Sequence, residues 1–338
     1  MPSAAKVTRF LGAPNKIMPS RPTLMTGLRG RFLSGSASIS HTVGVEPHAL
    51  RIAHYRLSPP AWPNGLRVRI VVLADLHVCD PFMTLEHVRT IVAATNALEP
   101  DLVALLGDFV ADHRFVWAPV PVQLWARELA RAQAPLGTHA VLGNHDWWDD
   151  AEVMRKQAGR PRVGLALEDA GIPVYENSAR RLRKDGHAFW LGGLGDQWAF
   201  PVPRTKAWQR LAFRGVDDTP GLLGQLTDDA PLVLMAHEPD VFANLSARVT
   251  LTLAGHMHAG QIRLFGYSPK LPSRYGDRYR YGHIVEDDRH MIVSGGLGCS
   301  TLPVRIGVPP EIVVVDLGQP SIGQTASAKL PGHPVDET

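Results

Sequence analysis

Beyond Leu50 the chain alternates short apolar runs with stretches of helical spacing. Arg51 to Leu57 and Leu66 to Ala74 read as strands, separated by the breaker run Ser58-Pro59-Pro60-Ala61-Trp62-Pro63-Asn64-Gly65. In the second of these, Val68, Ile70, Val71, Val72 and Leu73 make a nearly continuous apolar run, as in a strand buried on both faces. Thr84 to Leu98 then changes period, with Leu85, Val88, Ile91, Val92, Thr95 and Leu98 on one helical face. Thr84 can cap that helix and Pro100 ends it. Leu102 to Leu106 is a further buried strand, Val120 to Ala134 a helix with Pro121 in its first turn, and Thr138 to Leu142 a third strand. Strand, helix, strand, helix, strand predicts a parallel α/β sheet.

From Ala151 to Arg214 the pattern loosens. Helices are expected at Ala151 to Gln157 and Val163 to Ala170, and short strands at Arg180 to Arg183 and Ala188 to Leu191. Leu232 to Met235 and Val249 to Leu253 read as buried strands. Strands and Gly-rich loops follow Gly260, and the last strand is Glu311 to Leu317. Three regions result: a basic flexible segment at 1–49, one domain at 50–317, and a Ser-, Gly-, Pro- and Gln-rich tail at 318–338, expected to be disordered.

Composition narrows the class. Of 338 residues, 45% are apolar and 20% charged, which suits a packed core and excludes a disordered chain. Two cysteines, Cys79 and Cys299, exclude a disulfide scaffold and a Cys-rich zinc module. No apolar run reaches the length of a membrane span. Net charge is +3, but residues 1–45 carry six cations and no Asp or Glu, so the body of the chain is slightly acidic. A nucleic-acid partner is therefore not expected. The start resembles a degenerate export signal at Arg29-Gly30-Arg31-Phe32-Leu33, but the Ser-rich stretch after it makes a poor apolar region. A cytoplasmic or peripheral membrane location is favoured, with export through this segment left open.

Five short segments carry the chemistry. They are Asp75-Leu76-His77, Gly107-Asp108-Phe109-Val110-Ala111-Asp112, Gly143-Asn144-His145-Asp146, Ala236-His237-Glu238 and Gly255-His256-Met257-His258. Each follows an apolar strand directly and is dense in hard metal ligands. Ligands of open α/β sheets bind at the carboxyl ends of the strands, so the five can converge on one pocket. Carboxylate, imidazole and amide oxygen together suit Mn, Fe, Zn or Ni. Each segment alone is a weak signal, since a lone Asp-x-His or His-x-His arises readily by chance. Five in one order at strand ends are not so easily accidental.

With these blocks the sequence resembles the calcineurin-like metallophosphoesterase superfamily over Leu66 to Leu317. The stretches Gly255-His256-Met257-His258-Ala259-Gly260-Gln261-Ile262 and Gly295-Gly296-Leu297-Gly298-Cys299-Ser300-Thr301-Leu302-Pro303-Val304-Arg305 are similar to a bacterial branch. That branch includes membrane-associated phosphodiesterases and a UDP-2,3-diacylglucosamine pyrophosphatase of lipid A synthesis. The resemblance implies a four-layer α/β sandwich, two mixed sheets flanked by helices, with the active site at strand C-terminal ends. It implies two divalent metal ions, manganese favoured, with iron, zinc or nickel as alternatives. Asp75, His77 and His258 would hold the first. Asn144, His237 and His256 would hold the second, and Asp108 would bridge both. His145 would act as general acid or electrostatic stabiliser toward the substrate phosphate, oriented by Asp146. The implied reaction is cleavage of a phosphodiester or pyrophosphate by metal-bound hydroxide, with a nucleotide-diphosphate lipid such as UDP-2,3-diacylglucosamine as substrate and peripheral membrane contact. A small-molecule or cell-envelope diester is the alternative substrate, and a metal-free interaction scaffold of the same fold the non-enzymatic one. Oligomeric state is not implied.

Other residues have plainer readings. Asp112 is expected to support a ligand rather than to be one, and Glu238 is not expected to be a ligand. Cys79 and Cys299 read as small buried residues. Trp147, Trp148 and Trp198 belong either to the core or to an apolar groove beside the metals. The basic run Arg180, Arg181, Arg183 and Lys184 fits a solvated strand edge or an anionic headgroup contact. The loop from Tyr267 to Tyr281, with four Tyr and three Arg, is a candidate for specificity.

Overall fold

The computed structural model describes residues 50–111, 113–202, 212–263, 267–268 and 271–319, and the backbone of 328–329. The basic N-terminal segment, Asp112, and 320–327 and 330–338 of the expected tail lie outside the described residues.

Two six-stranded sheets carry the fold. The first runs β14 (Ala328–Lys329), β1 (Arg51–Leu57), β13 (Glu311–Leu317), β2 (Val68–Leu73), β3 (Leu102–Leu105), β4 (Thr138–Ala140). The second runs β11 (Gly282–Glu286), β12 (Arg289–Val293), β10 (Val249–Ala254), β9 (Leu232–Met235), β6 (His187–Gly193), β5 (Ser178–Lys184). A separate ribbon pairs β7 (Phe200–Val202) with β8 (Ala212–Arg214). The expected parallel run holds for β2, β3 and β4. β13 enters antiparallel to β2, so the sheet is mixed.

The apolar runs pack in layers because successive strand residues point to opposite faces. Ile70, Val72, Leu102, Ala104, Val313 and Val315 meet Leu191, Val233, Met235, Leu251 and Leu253 of the other sheet in one inter-sheet core. Val71, Leu73, Val103 and Leu105 face the other way, onto helices α1 (Leu85–Ala97), α2 (Val122–Leu129) and α5 (Arg162–Asp169). α1 starts where Thr84 accepts from the His87 amide while the His87 ring accepts from the Thr84 amide, and it buries Val88, Ile91, Val92 and Thr95. The outer face of the second sheet is covered by Val241 and Phe242 of a 3-10 turn and by Leu222 of α6 (Thr219–Leu223). The order helix, sheet, sheet, helix is the four-layer sandwich expected from the sequence.

Two short helices, α3 (Asn144–Trp148) and α4 (Ala151–Lys156), follow β4. α2 is shorter than its apolar pattern suggests, ending at Leu129. Its Trp125 is fully buried and stacks on Phe109, with ring centroids 5.5 Å apart and planes 9° apart. Phe109 is the neighbour of Asp108, so the core of this layer reaches the strand-end loops directly. Trp125→Ala should lower unfolding free energy by about 3–5 kcal/mol, the range for deleting a buried large aromatic, measured by urea denaturation.

Candidate metal centre

All five segments lie at the carboxyl ends of strands: Asp75 and His77 after β2, Asp108 after β3, Asn144 to Asp146 after β4, His237 after β9, and His256 and His258 after β10. The structure brings the acidic and imidazole donors of four of them together in two groups that share one residue. Donor atoms of Asp75, His77, Asp108 and His258 lie within 4.8 Å of one another, as do those of Asp108, His237 and His256. All of these side chains are buried.

The contacts between donors have the scale of a coordination shell. His77 Nε2 lies 3.1 Å from His258 Nε2, His237 Nε2 lies 3.2 Å from Asp108 Oδ2, and His256 Nδ1 lies 3.3 Å from His237 Nε2. Donors about 2.1 Å from one cation sit roughly 3 to 3.4 Å apart when adjacent. The ring nitrogen facing away from the pocket is fixed in each case. His77 Nδ1 bonds the Val110 carbonyl (2.9 Å), His237 Nδ1 the Leu106 carbonyl (2.6 Å) and His256 Nε2 the Pro272 carbonyl (3.1 Å). A backbone carbonyl only accepts, so each ring donates on that side and its other nitrogen is the one that faces the pocket. His258 differs: its Nδ1 faces the buried guanidinium of Arg305 at 3.1 Å.

Asp75 Oδ2 and Asn144 Oδ1 are among the buried oxygens that have no hydrogen-bond partner among the described residues. An unpaired buried oxygen costs free energy unless something positive meets it. Both belong to the expected ligand set, one in each half, so the residues present fit a pair of divalent cations.

The electrostatics agree. Burial pushes Asp75 up to about 7, and the neighbouring Asp108 adds to this against the pull of His237. Burial also pushes Asp108 up, but His237, His145 and His77 outweigh it and hold its carboxyl well below the usual range. His237 moves well above its ordinary value because Asp108 overcomes the effect of burial, and burial with His237 nearby takes His256 down to about 3. These groups compete for protons in a space too dry to charge them all.

The backbone is distorted at the same places. Asp75, His77, Asp108, His256 and His258 all have positive φ, from 47° to 68°. Non-glycine residues in this region are held at a cost of order 1–3 kcal/mol each and cluster at functional sites. Two loops also approach so closely that only glycine fits. A Cβ on Gly107 would lie 2.4 Å from the Gly143 amide nitrogen, and one on Gly143 would lie 2.4 Å from Asp108 Oδ1.

His145 sits at the rim. Its amide donates to Asp108 Oδ1 (2.9 Å), its Nε2 is 3.9 Å from Asp108 Oδ2, and its side chain is 13% exposed. Asp146 does not play the part expected for it. Its two oxygens accept from the amides of Asp108 (2.9 Å), Phe109 (2.8 Å), Val110 (3.4 Å) and Gly143 (2.9 Å). It holds the loop carrying Asp108 rather than the His145 ring, because consecutive residues of a helix such as α3 point in different directions.

Glu238 and Asp196 form a buried pair beside the site. Gln197 donates its amide to Glu238 (3.1 Å), Trp198 donates its amide to Asp196 (2.7 Å), and burial with Glu238 pushes Asp196 well up. Nothing in the sequence marks Asp196, because its partner is distant along the chain. Arg305 was present in the late Gly-rich motif, but its burial against His258 is visible only in the fold. Cys79 and Cys299 are buried thiols, Cys79 3.9 Å from His113 Nε2. Trp147 is core, while Trp148 and Trp198 are half-buried beside His145 and His256. In the basic run, Arg181 pairs with Asp228 and Lys184 with Asp101. Among the described residues no helix is long and apolar enough to cross a membrane.

Residues 68–260 match the family model described as calcineurin-like phosphoesterase. The chain is 28% identical over 308 residues to the uncharacterized metallophosphoesterase YkuE of Bacillus subtilis, covering 88% of this chain and 97% of that one. It is 26% identical over 307 residues to the phosphodiesterase YaeI of Escherichia coli, covering 86% and 98%. Among solved structures, a dimetal phosphatase from Danio rerio aligns with a TM-score of 0.38 and 13% identity, over 68% of this chain and 88% of that one.

Gly143→Ala tests the packing of the two donor groups. The added methyl would collide with Asp108 and His237, so metal affinity should fall about five- to thirtyfold, the effect of losing about one to two kcal/mol by overpacking. Elemental analysis after dialysis against graded free metal measures it.

Proposed function

The chain belongs to the calcineurin-like phosphoesterase family, and from that premise we propose that it cleaves phosphodiester or pyrophosphate bonds with two divalent cations. Asp75, His77, Asp108 and His258 would hold one, and Asp108, Asn144, His237 and His256 the other. The observation that carries this reading is the membership of Asp108 in both donor groups. A carboxylate can face two cations and still cancel charge, which an amide in its place cannot. When bound, the two cations would supply Lewis-acid charge for phosphate oxygens and make water acidic enough to attack at neutral pH.

The chain's own residues would do the rest. Asn144 offers an oxygen without adding a negative charge that would repel phosphate. Asp146 fixes the loop of Asp108 through three amides and accepts a fourth from Gly143 on its own loop. His145 is tied to Asp108 through its backbone yet keeps its ring partly exposed at the rim, where it would hand a proton to the departing oxygen. Its removal should lower kcat by about 10²–10⁴, as for a general acid.

For the substrate, we put a phosphodiester or pyrophosphate before a monoester, and UDP-2,3-diacylglucosamine first among these, with contact at a membrane surface. Support comes from the branch-like stretches at Gly255 to Ile262 and Gly295 to Arg305. The second lies against the first donor group, where Gly298 donates its amide to the Asp75 carbonyl (2.7 Å) and Arg305 meets His258. The full-length similarity to a protein named as a phosphodiesterase also favours a diester.

Manganese-loaded protein incubated with UDP-2,3-diacylglucosamine should release UMP, and Asp108→Asn should not. Turnover of bis(p-nitrophenyl) phosphate without UMP release would keep the hydrolase and replace the substrate by a small or cell-envelope diester. His145→Ala should retain its metals by elemental analysis while losing about 10²–10⁴ in kcat.

A further inference from the structure

Three aromatic rings form a ladder along one side of the site. Phe213, on β8, lies between two tryptophans. Its ring is stacked on Trp198 at 4.2 Å with planes 10° apart, and on Trp148 at 5.8 Å with planes 18° apart. Each tryptophan reaches one part of the centre: Trp148 packs on the His145 ring at 5.2 Å, and Trp198 meets the His256 ring edge-on at 4.7 Å. The three rings come from different parts of the fold. Trp148 ends α3 beyond the first sheet, Trp198 follows β6 of the second, and Phe213 belongs to the separate ribbon. All three are half-buried.

The ladder is not explained by core packing alone. Trp147 next to it is buried against Phe200 and belongs to the core, whereas these rings stop short of burial at the rim where His145 stands. The indole N–H of Trp148 is already given to the Trp198 carbonyl (3.1 Å). That bond ties the two tryptophans together and removes a donor from the surface, so what the half-buried ladder offers at the rim is aromatic carbon. Such a surface favours a planar ring over a saturated chain of equal bulk, because aromatic pairs gain from stacked and edge-on geometry beyond the area they bury.

We propose that Trp148, Phe213 and Trp198 form a wall of the substrate pocket that binds an aromatic ring carried next to the reacting phosphorus, with Phe213 as the residue that sets this specificity. The assignment rests on the hydrolase reading above. It makes the site a selector for phosphoesters bearing an aryl or nucleobase ring close to the scissile bond. The ring contacts of Phe213 are with Trp148 and Trp198, so its replacement should leave the donor residues in place while opening a gap between the tryptophans.

The test uses three phosphonates that cannot be hydrolysed, phenyl-, cyclohexyl- and methylphosphonate, bound to metal-loaded protein and read by tryptophan fluorescence. Wild type should bind the phenyl compound roughly tenfold more tightly than the methyl one, the size of a favourable aromatic pair, with the cyclohexyl compound clearly weaker than phenyl. Phe213→Ala should bring phenyl and methyl to within about twofold, Phe213→Leu should do nearly the same, and Phe213→Tyr should keep the preference, all with unchanged methylphosphonate affinity. Equal binding of phenyl and cyclohexyl, or an undiminished preference in Phe213→Ala, overturns the wall. Hydrolysis of bis(p-nitrophenyl) phosphate is followed in parallel: turnover with no ring preference sinks the wall alone, and neither turnover nor phosphonate binding sinks the hydrolase reading with it.

Discussion

Burying negative charge is unfavourable, and this chain gathers several buried carboxylates at adjoining strand ends, Asp196 and Glu238 among them. Asp75, Asp108 and Asp146 are each at most 1% exposed. Their mutual repulsion in a dry site cannot be relieved by water. The structure answers each one differently. Asp146 is met by four backbone amides, Asp108 by three histidines around it, and Asp75 keeps one oxygen with no partner. Only added positive charge completes the balance, and the donor atoms are spaced to receive it.

The fold makes this arrangement affordable to hold in place. Two sheets packed through one apolar core bring β2, β3 and β4 of the first opposite β9 and β10 of the second. Their carboxyl ends open on the same region. Positive φ at five donors and glycine-only contact between the Gly107 and Gly143 loops are kept because the strands behind them are rigid. Stability in the layers and strain at the loops are thus two sides of one design. The aromatic ladder joins both sheets and the ribbon at the rim, so the same seam that gathers the donors also shapes what lies beside them.

Much of this was legible in the chain. Apolar runs at β2, β3, β9 and β13 and the Thr-interrupted run of β10 identify buried strands, and the polar blocks after β2, β3, β9 and β10 identify donors. What was not legible depends on distance along the chain or on very short elements. The ribbon strand Phe200–Val202 contains a proline and is too short to show a period. Phe213 lies next to Trp198 only through that ribbon, and Asp196 and Arg305 act through partners far away in sequence. Adjacency in sequence suggests that Asp146 serves His145, whereas its oxygens accept from the backbone amides of Asp108, Phe109, Val110 and Gly143. Histidine tautomers and left-handed φ values leave no mark on a single sequence at all.

The sharing of Asp108 is the claim on which the rest turns. Titrating manganese(II) into metal-free protein, with bound ion followed by electron paramagnetic resonance, examines it directly. Two ions per chain, giving the exchange-coupled signal of a pair joined through one carboxylate in wild type and losing that coupling in Asp108→Asn, is the predicted result. Isolated six-line spectra at full occupancy, or a coupled signal that survives in Asp108→Asn, would contradict it.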